Sequence, residues 1–341
     1  MSRAATWPVV TIRPFTHGDQ AAVLELLTAT LGGGPAGQRP ASFFRWKHFD
    51  NPFGASFMLV AEADRRVIGL RAFLRWTLQG PGGPVAAVRA VDTATHPSYQ
   101  GMGVFSRLTR SALEQLAGEA DLVFNTPNSA SRPGYLKLGW LDAGRVPVAI
   151  RICRPVRFAQ GLRRPHPHPA ASPEVGAPPA AQVLDRGEEV TGLLAEIPAD
   201  HSRLHTRRDI GYLRWRYGAA PMLGYRAVVE REGGRLRGMA MFRVRPRGGL
   251  WEATVAEVLA PPEDRRTARR LLRGVARAAA VDHLAIHVPA GGLGRAGAAR
   301  AGFVPAPGGI SFMVRPLRHD LDPDPADLRS WSLTLGDLEV F

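Results

Sequence analysis

The chain has 341 residues, room for two domains of roughly 150 residues each. With 45% hydrophobic and 22% charged residues it is neither a disordered nor a fibrous chain, and no apolar run approaches the roughly 20 residues that cross a bilayer. The net charge of +14 favours anionic partners, but only Lys47 and Lys137 are lysines among 44 basic residues and the arginines are scattered, which argues against a nucleic-acid face and suits an anionic small-molecule cofactor.

In chain order, Val9 to Pro14 reads as a short strand. Asp19 to Leu31 follows as a helix with Val23, Leu24, Leu27 and Leu31 on one face, ended by Gly32-Gly33-Gly34. Two strands, Phe57 to Glu62 and Arg66 to Trp76, flank a turn at Ala63-Asp64-Arg65. Ala86 to Thr95 is a third, stopped by His96-Pro97. Val104 to Leu116 carries the stripe Val104, Leu108, Ala112 and Leu116 of an amphipathic helix. Leu122 to Asn125 is a short buried strand, Ser131 to Leu138 a short helix ended by Gly139, and Val146 to Cys153 a closing strand. This order predicts a mixed α/β domain.

Phe158 to Ala181 is rich in Pro, Ala and Arg and reads as an extended linker; its His166 and His168 lack a nearby third ligand, so no metal site is expected. After it the pattern restarts. Arg45-Trp46-Lys47 and Pro52 match Arg214-Trp215-Arg216 and Pro221 at an offset of 169, as do Gly69 and Phe73 with Gly238 and Phe242. Gly139-Trp140 and Gly302-Phe303 stand 163 apart, and Arg154-Pro155 and Arg315-Pro316 stand 161 apart. An offset that shrinks only at loops predicts two copies of one fold. The expected boundaries are residues 1–157, a linker 158–181, a second copy 182–318 and a tail 319–341.

The segment from Val88 to Val104 runs strand, glycine loop, helix. Gly101 and Gly103 let backbone approach a ligand, and the amides of the helix's first turn have no partner within the helix, so an anion fits there. The loop lacks the third glycine of a dinucleotide fingerprint and the Gly-Lys-Ser/Thr of a P-loop. Gln100-Gly101-Met102-Gly103 resembles the acyl-CoA motif of the GNAT N-acetyltransferase superfamily, Gln/Arg-x-x-Gly-x-Gly/Ala, with Phe105 standing where that family has Gly or Ala. Tyr135 ahead of Gly139-Trp140 falls where the family carries a Tyr before a Gly-aromatic turn. The resemblance covers Val9 to Cys153.

The resemblance implies two tandem domains, each a mixed, mostly antiparallel sheet flanked by helices. It implies acetyl-CoA held by Thr93, Ala94, Thr95, Gln100, Gly101, Met102, Gly103, Val104 and Asn125, an amine acceptor, and Tyr135 as general acid toward the departing thiolate. Asp92 is the first candidate for general base, with His96 and Glu62 as alternatives. The second copy has Pro262-Glu263-Asp264-Arg265-Arg266 in place of the glycine loop and Ala298 in place of Tyr135, so it is expected to bind no acetyl-CoA and to wall the acceptor cleft. The Arg-Trp clusters, present in both copies, read as architecture. The apolar tail from Trp331 is expected to dock on the body, with delivery of Asp337 or the terminal carboxylate to the cleft as the alternative.

Cys153 has no disulfide partner, lies on the closing strand away from Gln100 and Tyr135, and suits a reducing cytoplasm. The opening MSRAATWPVV lacks the pattern of a secretory signal. A transferase using a tRNA-borne donor and a non-catalytic acyl-CoA sensor are the competing readings.

Overall fold

The computed structural model describes residues 9–32, 39–163, 172–198, 200, 202–288 and 294–338. Strand β1 (Thr11–Pro14) leads into helices α1 (Gln20–Leu31) and α2 (Ala41–His48), then β2 (Phe57–Ala63), β3 (Arg66–Gly80) and β4 (Gly83–Thr95). Helix α3 (Val104–Leu116), β5 (Leu122–Asn125), α4 (Arg132–Lys137) and β6 (Leu141–Val146) follow. The α3 stripe is buried as its spacing requires. It packs so closely on β3 that a Cβ at Gly69 would lie 2.9 Å from Val104 Cγ1.

Strand β7 (Ala149–Ile152) and helix α5 (Pro155–Arg163) come next, then α6 (Ala180–Leu184), α7 (Gly187–Glu196), β8 (His205–Thr206) and α8 (Ile210–Leu213). The second half repeats the earlier succession with β9 (Arg226–Glu232), β10 (Arg235–Arg247), β11 (Leu250–Leu259), α9 (Arg265–Ala278), β12 (His283–Ile286), α10 (Gly294–Arg300) and β13 (Val304–Pro305). Strand β14 (Ile310–Pro316) and the short helix α11 (Leu335–Leu338) finish the described chain.

The strands form two sheets. The first is ordered β1-β2-β3-β4-β5-β14-β6, with β8 pairing β3 at its end; the second is β13-β7-β12-β11-β10-β9. In each, one crossover through a helix makes a parallel pair, β4 with β5 and β11 with β12, within otherwise antiparallel ladders. The fold is therefore mixed α/β, as expected.

The closing strands are exchanged. Val146 to Cys153 is not one strand of the first sheet. Pro147, which lacks a backbone donor, follows the end of β6, and Ala149–Ile152 crosses to pair with β12 and β13 of the second sheet. Its place between β5 and β6 is filled by β14 from the far end of the chain. The extended-linker expectation also needs correction. Its start lies in helix α5, and beyond it Val175 bridges Ala279 and Ala177 is buried. His166 and His168 lie outside the described residues.

One apolar cluster runs through both halves, from Leu27 and Phe44 through Tyr212 and Trp215 to Ala227 and Met239. At its centre Trp46 and Trp215 stack with centroids 5.3 Å apart, and each indole donates to the other's backbone carbonyl, at 2.8 and 2.9 Å. The reciprocity is that of a twofold contact made within a single chain. The tail joins the same cluster through Trp331, Leu333, Leu335 and Leu338.

Candidate functional site

The glycine loop comes first. Gly101 and Gly103 adopt φ of 77° and 76°, the left-handed region where glycine is at ease, and the space beside each Cα is open to 4 Å. Gly103 caps α3 without a side-chain acceptor, so the first-turn amides after it are free to meet an anion. Met102 and Val104 pack inward on the α3-side core, and Gln100 donates to the Thr95 carbonyl at 3.2 Å. Phe105 also points inward. It fits because Gly134 has no side chain, a Cβ there standing 3.1 Å from the ring.

Between β4 and β5 the sheet opens. Their ladder ends at Arg89–Phe124, while β4 continues to Thr95 paired only with β3. The other edge of Ala90 to Thr95, which includes Thr93, Ala94 and Thr95, thus offers backbone donors and acceptors to an amide-bearing ligand. Asn125, at the end of β5, is buried, and its Oδ1 has no hydrogen-bond partner among the described residues. An open glycine cradle, an uncapped helix and an orphaned amide oxygen fit the diphosphate and pantetheine amides of coenzyme A.

Beside this opening β4 bulges. Arg71 of β3 faces both Asp92 and Thr93, the register slipping between Leu70 and Ala72. Thr93 turns toward α3 and α4, where Arg71 Nη1 donates to its hydroxyl and, at 2.9 Å, to the Tyr135 phenol oxygen. Tyr135 is buried against Phe105 and Trp140. Asp92 turns the other way, toward α2, with a left-handed φ of 39°.

The surroundings of Asp92 weigh against the general-base role expected of it. Its Oδ2 lies 2.7 Å from Lys47 Nζ and 2.9 Å from His48 Nε2, with Arg39 3.7 Å from Oδ1. Burial works to raise its pKa, but the Lys47 charge and the His48 hydrogen bond prevail and hold the carboxyl well below the usual range, where it has little affinity for a proton. Burial lowers the pKa of both Lys47 and His48. Since a carboxylate only accepts, His48 donates from Nε2; in the neutral ring Nδ1 then accepts from Ser56 Oγ at 2.9 Å. The alternatives fare no better. Glu62 is tied to Arg13 at 2.8 Å, and His96 is an exposed turn residue that accepts from the Ser98 amide.

The second sheet keeps the opening and loses the cradle. Its parallel ladder ends at Val255–Ile286 while β11 runs on to Leu259, and a cavity of ≈ 710 Å³ there is lined by Glu257, Leu259, Arg208 and Ile286. The N-terminus of α9 is filled by its own Asp264, which accepts from the Thr267 amide at 2.9 Å. Trp140 N bonds the Tyr135 carbonyl and Phe303 N the Ala298 carbonyl, so Ala298 does stand in the place of Tyr135.

Residues 11–142 match the family model for the acetyltransferase (GNAT) domain. This segment is a GNAT acetyltransferase domain. The chain that carries it is an acyltransferase. Among solved structures its fold is similar to a probable N-acyltransferase from Enterococcus faecalis V583 (13% identity, 91% of this chain and 73% of that one, TM-score 0.62). It is also similar to a GCN5-related N-acetyltransferase from Anabaena variabilis ATCC 29413 (12%, 91% and 73%, 0.61) and to Eis1 from Mycobacterium abscessus (16%, 91% and 74%, 0.56). No curated protein matches the sequence.

Two residues of the candidate site escaped the sequence. Arg71 was visible only as an arginine inside the apolar run Ile68 to Phe73, and Lys47 as one of two lysines in a chain that otherwise uses arginine. No helix among the described residues is long and apolar enough to cross a membrane, and none of their side chains cluster as a metal site.

Proposed function

We propose that this GNAT protein is a cytoplasmic N-acetyltransferase that moves an acetyl group from acetyl-CoA directly to an amine in the cleft of the first sheet, with Tyr135 as general acid. The observation that carries the reading is the opening of β4 from β5 with the uncapped, glycine-lined start of α3 beside it. When bound, the cofactor supplies an acyl thioester. The residues fitted to hold it are Gly101, Met102, Gly103 and the amides following them, the free edge of Thr93 to Thr95, and Asn125. Gln100 shapes the loop.

In the transfer the C–N bond forms as the C–S bond breaks. The departing thiolate takes the Tyr135 proton, and the phenol recovers one from the new amide nitrogen. An amine arriving as ammonium first gives up a proton, which water can take: Asp92 and Glu62 are engaged by cations, and the terminal carboxylate lies outside the described residues. The second sheet, with Asp264 filling its helix start and Ala298 in place of a tyrosine, contributes the wall of the acceptor cleft.

Isothermal titration calorimetry should find one acetyl-CoA per chain. Thiol release should then follow with at least one of a polyamine, an aminoglycoside and a lysine peptide. Tyr135→Phe should lower kcat by about 10²-fold with CoA affinity unchanged. No heat with acetyl-CoA would end the reading, and binding without release for any acceptor would favour a sensor.

A further inference from the structure

Arg71 is unusual in its setting. Its side chain is fully buried at 0% exposure, and among the described residues no carboxylate pairs with it. Its guanidinium carbon lies 4.4 Å from the Phe73 ring centre, 5.3 Å from Tyr135 and 5.6 Å from Phe105. Nη1 serves Thr93 and Tyr135, while Nε and Nη2 have no hydrogen-bond partner. A buried cation without a counter-ion is costly, and three aromatic faces offset only part of that cost. Removing such a charge from a purely structural site would ordinarily stabilise the fold.

The chemistry of the two partners fixes the direction of their bond. A guanidinium has donors and no acceptor, so the Tyr135 oxygen must accept from Arg71, and the phenol's own proton is left to be given elsewhere. The same Nη1 holds Thr93 at the bulge, so the acid and the strand edge beside it are tied to one group. Negative charge that develops on the phenol oxygen as its proton leaves is met by a cation already in place in a low-dielectric site, with no solvent to reorganise.

We infer that Arg71 is the positioning residue of the transfer. It orients the Tyr135 phenol as a proton donor and stabilises the charge that appears when the proton passes from Tyr135 Oη to the sulfur as the C–S bond breaks. The inference rests on the function proposed above and adds to it a residue that the glycine motif does not contain. Arg71 acts on the reaction through Tyr135; its other bond fixes Thr93, one residue of the cofactor's strand edge, while the glycine loop and the start of α3, which take the diphosphate, lie outside its hydrogen bonds.

The test uses the full chain with Arg71→Met, Arg71→Lys, Tyr135→Phe and the Arg71→Met/Tyr135→Phe double variant. Thiol release from acetyl-CoA is read with the best acceptor of the panel, alongside calorimetric CoA affinity and the melting temperature. The expected result is a 10- to 100-fold fall in kcat for Arg71→Met, with KM and Kd for acetyl-CoA within about threefold and a melting temperature no lower than that of the unaltered protein. Arg71→Lys should recover part of the rate. Tyr135→Phe, costly alone, should cost less than threefold on top of Arg71→Met. Full activity in Arg71→Met, penalties that multiply in the double variant, or a loss of rate that merely follows a lowered melting temperature would each overturn the inference. An unaltered protein that binds acetyl-CoA but releases no thiol would instead overturn the proposed function beneath it.

Discussion

Asp92 holds a backbone conformation that costs an ordinary residue about 1–2 kcal/mol, and it does so at the bulge that separates two faces of chemistry. Lys47, Arg39 and the neutral His48 ring on one side oppose that strain, while Thr93 and Arg71 face the other. A carboxylate so surrounded is held in its charged form and shapes the strand. Its partner His48 sets a dependence on pH. Burial and the neighbouring Lys47 charge lower the His48 pKa, and the Asp92 hydrogen bond offsets them only partly. The folded ring therefore binds a proton less readily than the unfolded one, whose pKa is about 6.5. The stability that neutral His48 contributes is whole above that value and declines as pH falls toward the lowered folded value, by at most about 1.4 kcal/mol per pH unit. Glutamine at this position could donate to Asp92 and accept from Ser56 without titrating. His48→Gln should accordingly lose less stability than the natural protein between pH 7 and 5 in urea unfolding; equal slopes would show that His48 is not the titrating group.

At the level of elements, α3 and α9 are the same helix given different starts. Each follows a long central strand and packs on it through a buried stripe, but one start is a bare left-handed glycine and the other an aspartate bonded to its own third residue. The difference is whether the helix amides are left for a ligand or used internally. Gly103→Asp should copy the second arrangement onto the first. Aspartate tolerates the left-handed region better than most residues, so the melting temperature should change by only a few degrees, while CoA affinity falls by about 10²-fold or more in calorimetry. Retained affinity would place the diphosphate elsewhere. The segments that face the two central strands correspond as well, Tyr217 lying just past the end of α8. Lys47 and His48 reach Asp92 from α2, and Tyr217, 169 residues after His48, donates to Glu257 at 3.0 Å. Burial raises the Glu257 pKa although Arg208 opposes it, whereas Asp92, with more cationic company, is lowered.

Over the whole molecule, the exchange of β7 and β14 makes each sheet depend on the other half of the chain. The first sheet without β14 would leave β5 and β6 unpaired along buried edges, a loss no side chain replaces. The tail adds a further tie, because Arg89 donates to the Asp337 and Leu338 carbonyls while Asp337 bonds Thr206 and Arg208. The intact chain should unfold in one cooperative transition, with the Trp46–Trp215 stack reporting at the same denaturant concentration as backbone circular dichroism. A fragment ending at residue 157 should not fold alone. Two separated transitions, or a folded fragment, would show the halves to be independent.

The sequence alone carried the order of elements, the repeat and the cofactor end of the site, because each is local. A stripe at helical spacing, a glycine pair before a helix and a Gly-aromatic turn all depend on neighbours a few residues away. Tertiary structure decided where the closing strands lie, what surrounds Asp92, and that Arg71 meets Tyr135. β14 pairs with two strands that both end more than 160 residues before it, and nothing in Ile310 to Pro316 records which open edge it fills. A carboxylate's readiness to take a proton likewise depends on the groups folded around it, and those around Asp92 come from α2 and the residues just before it, more than 40 positions back in the chain.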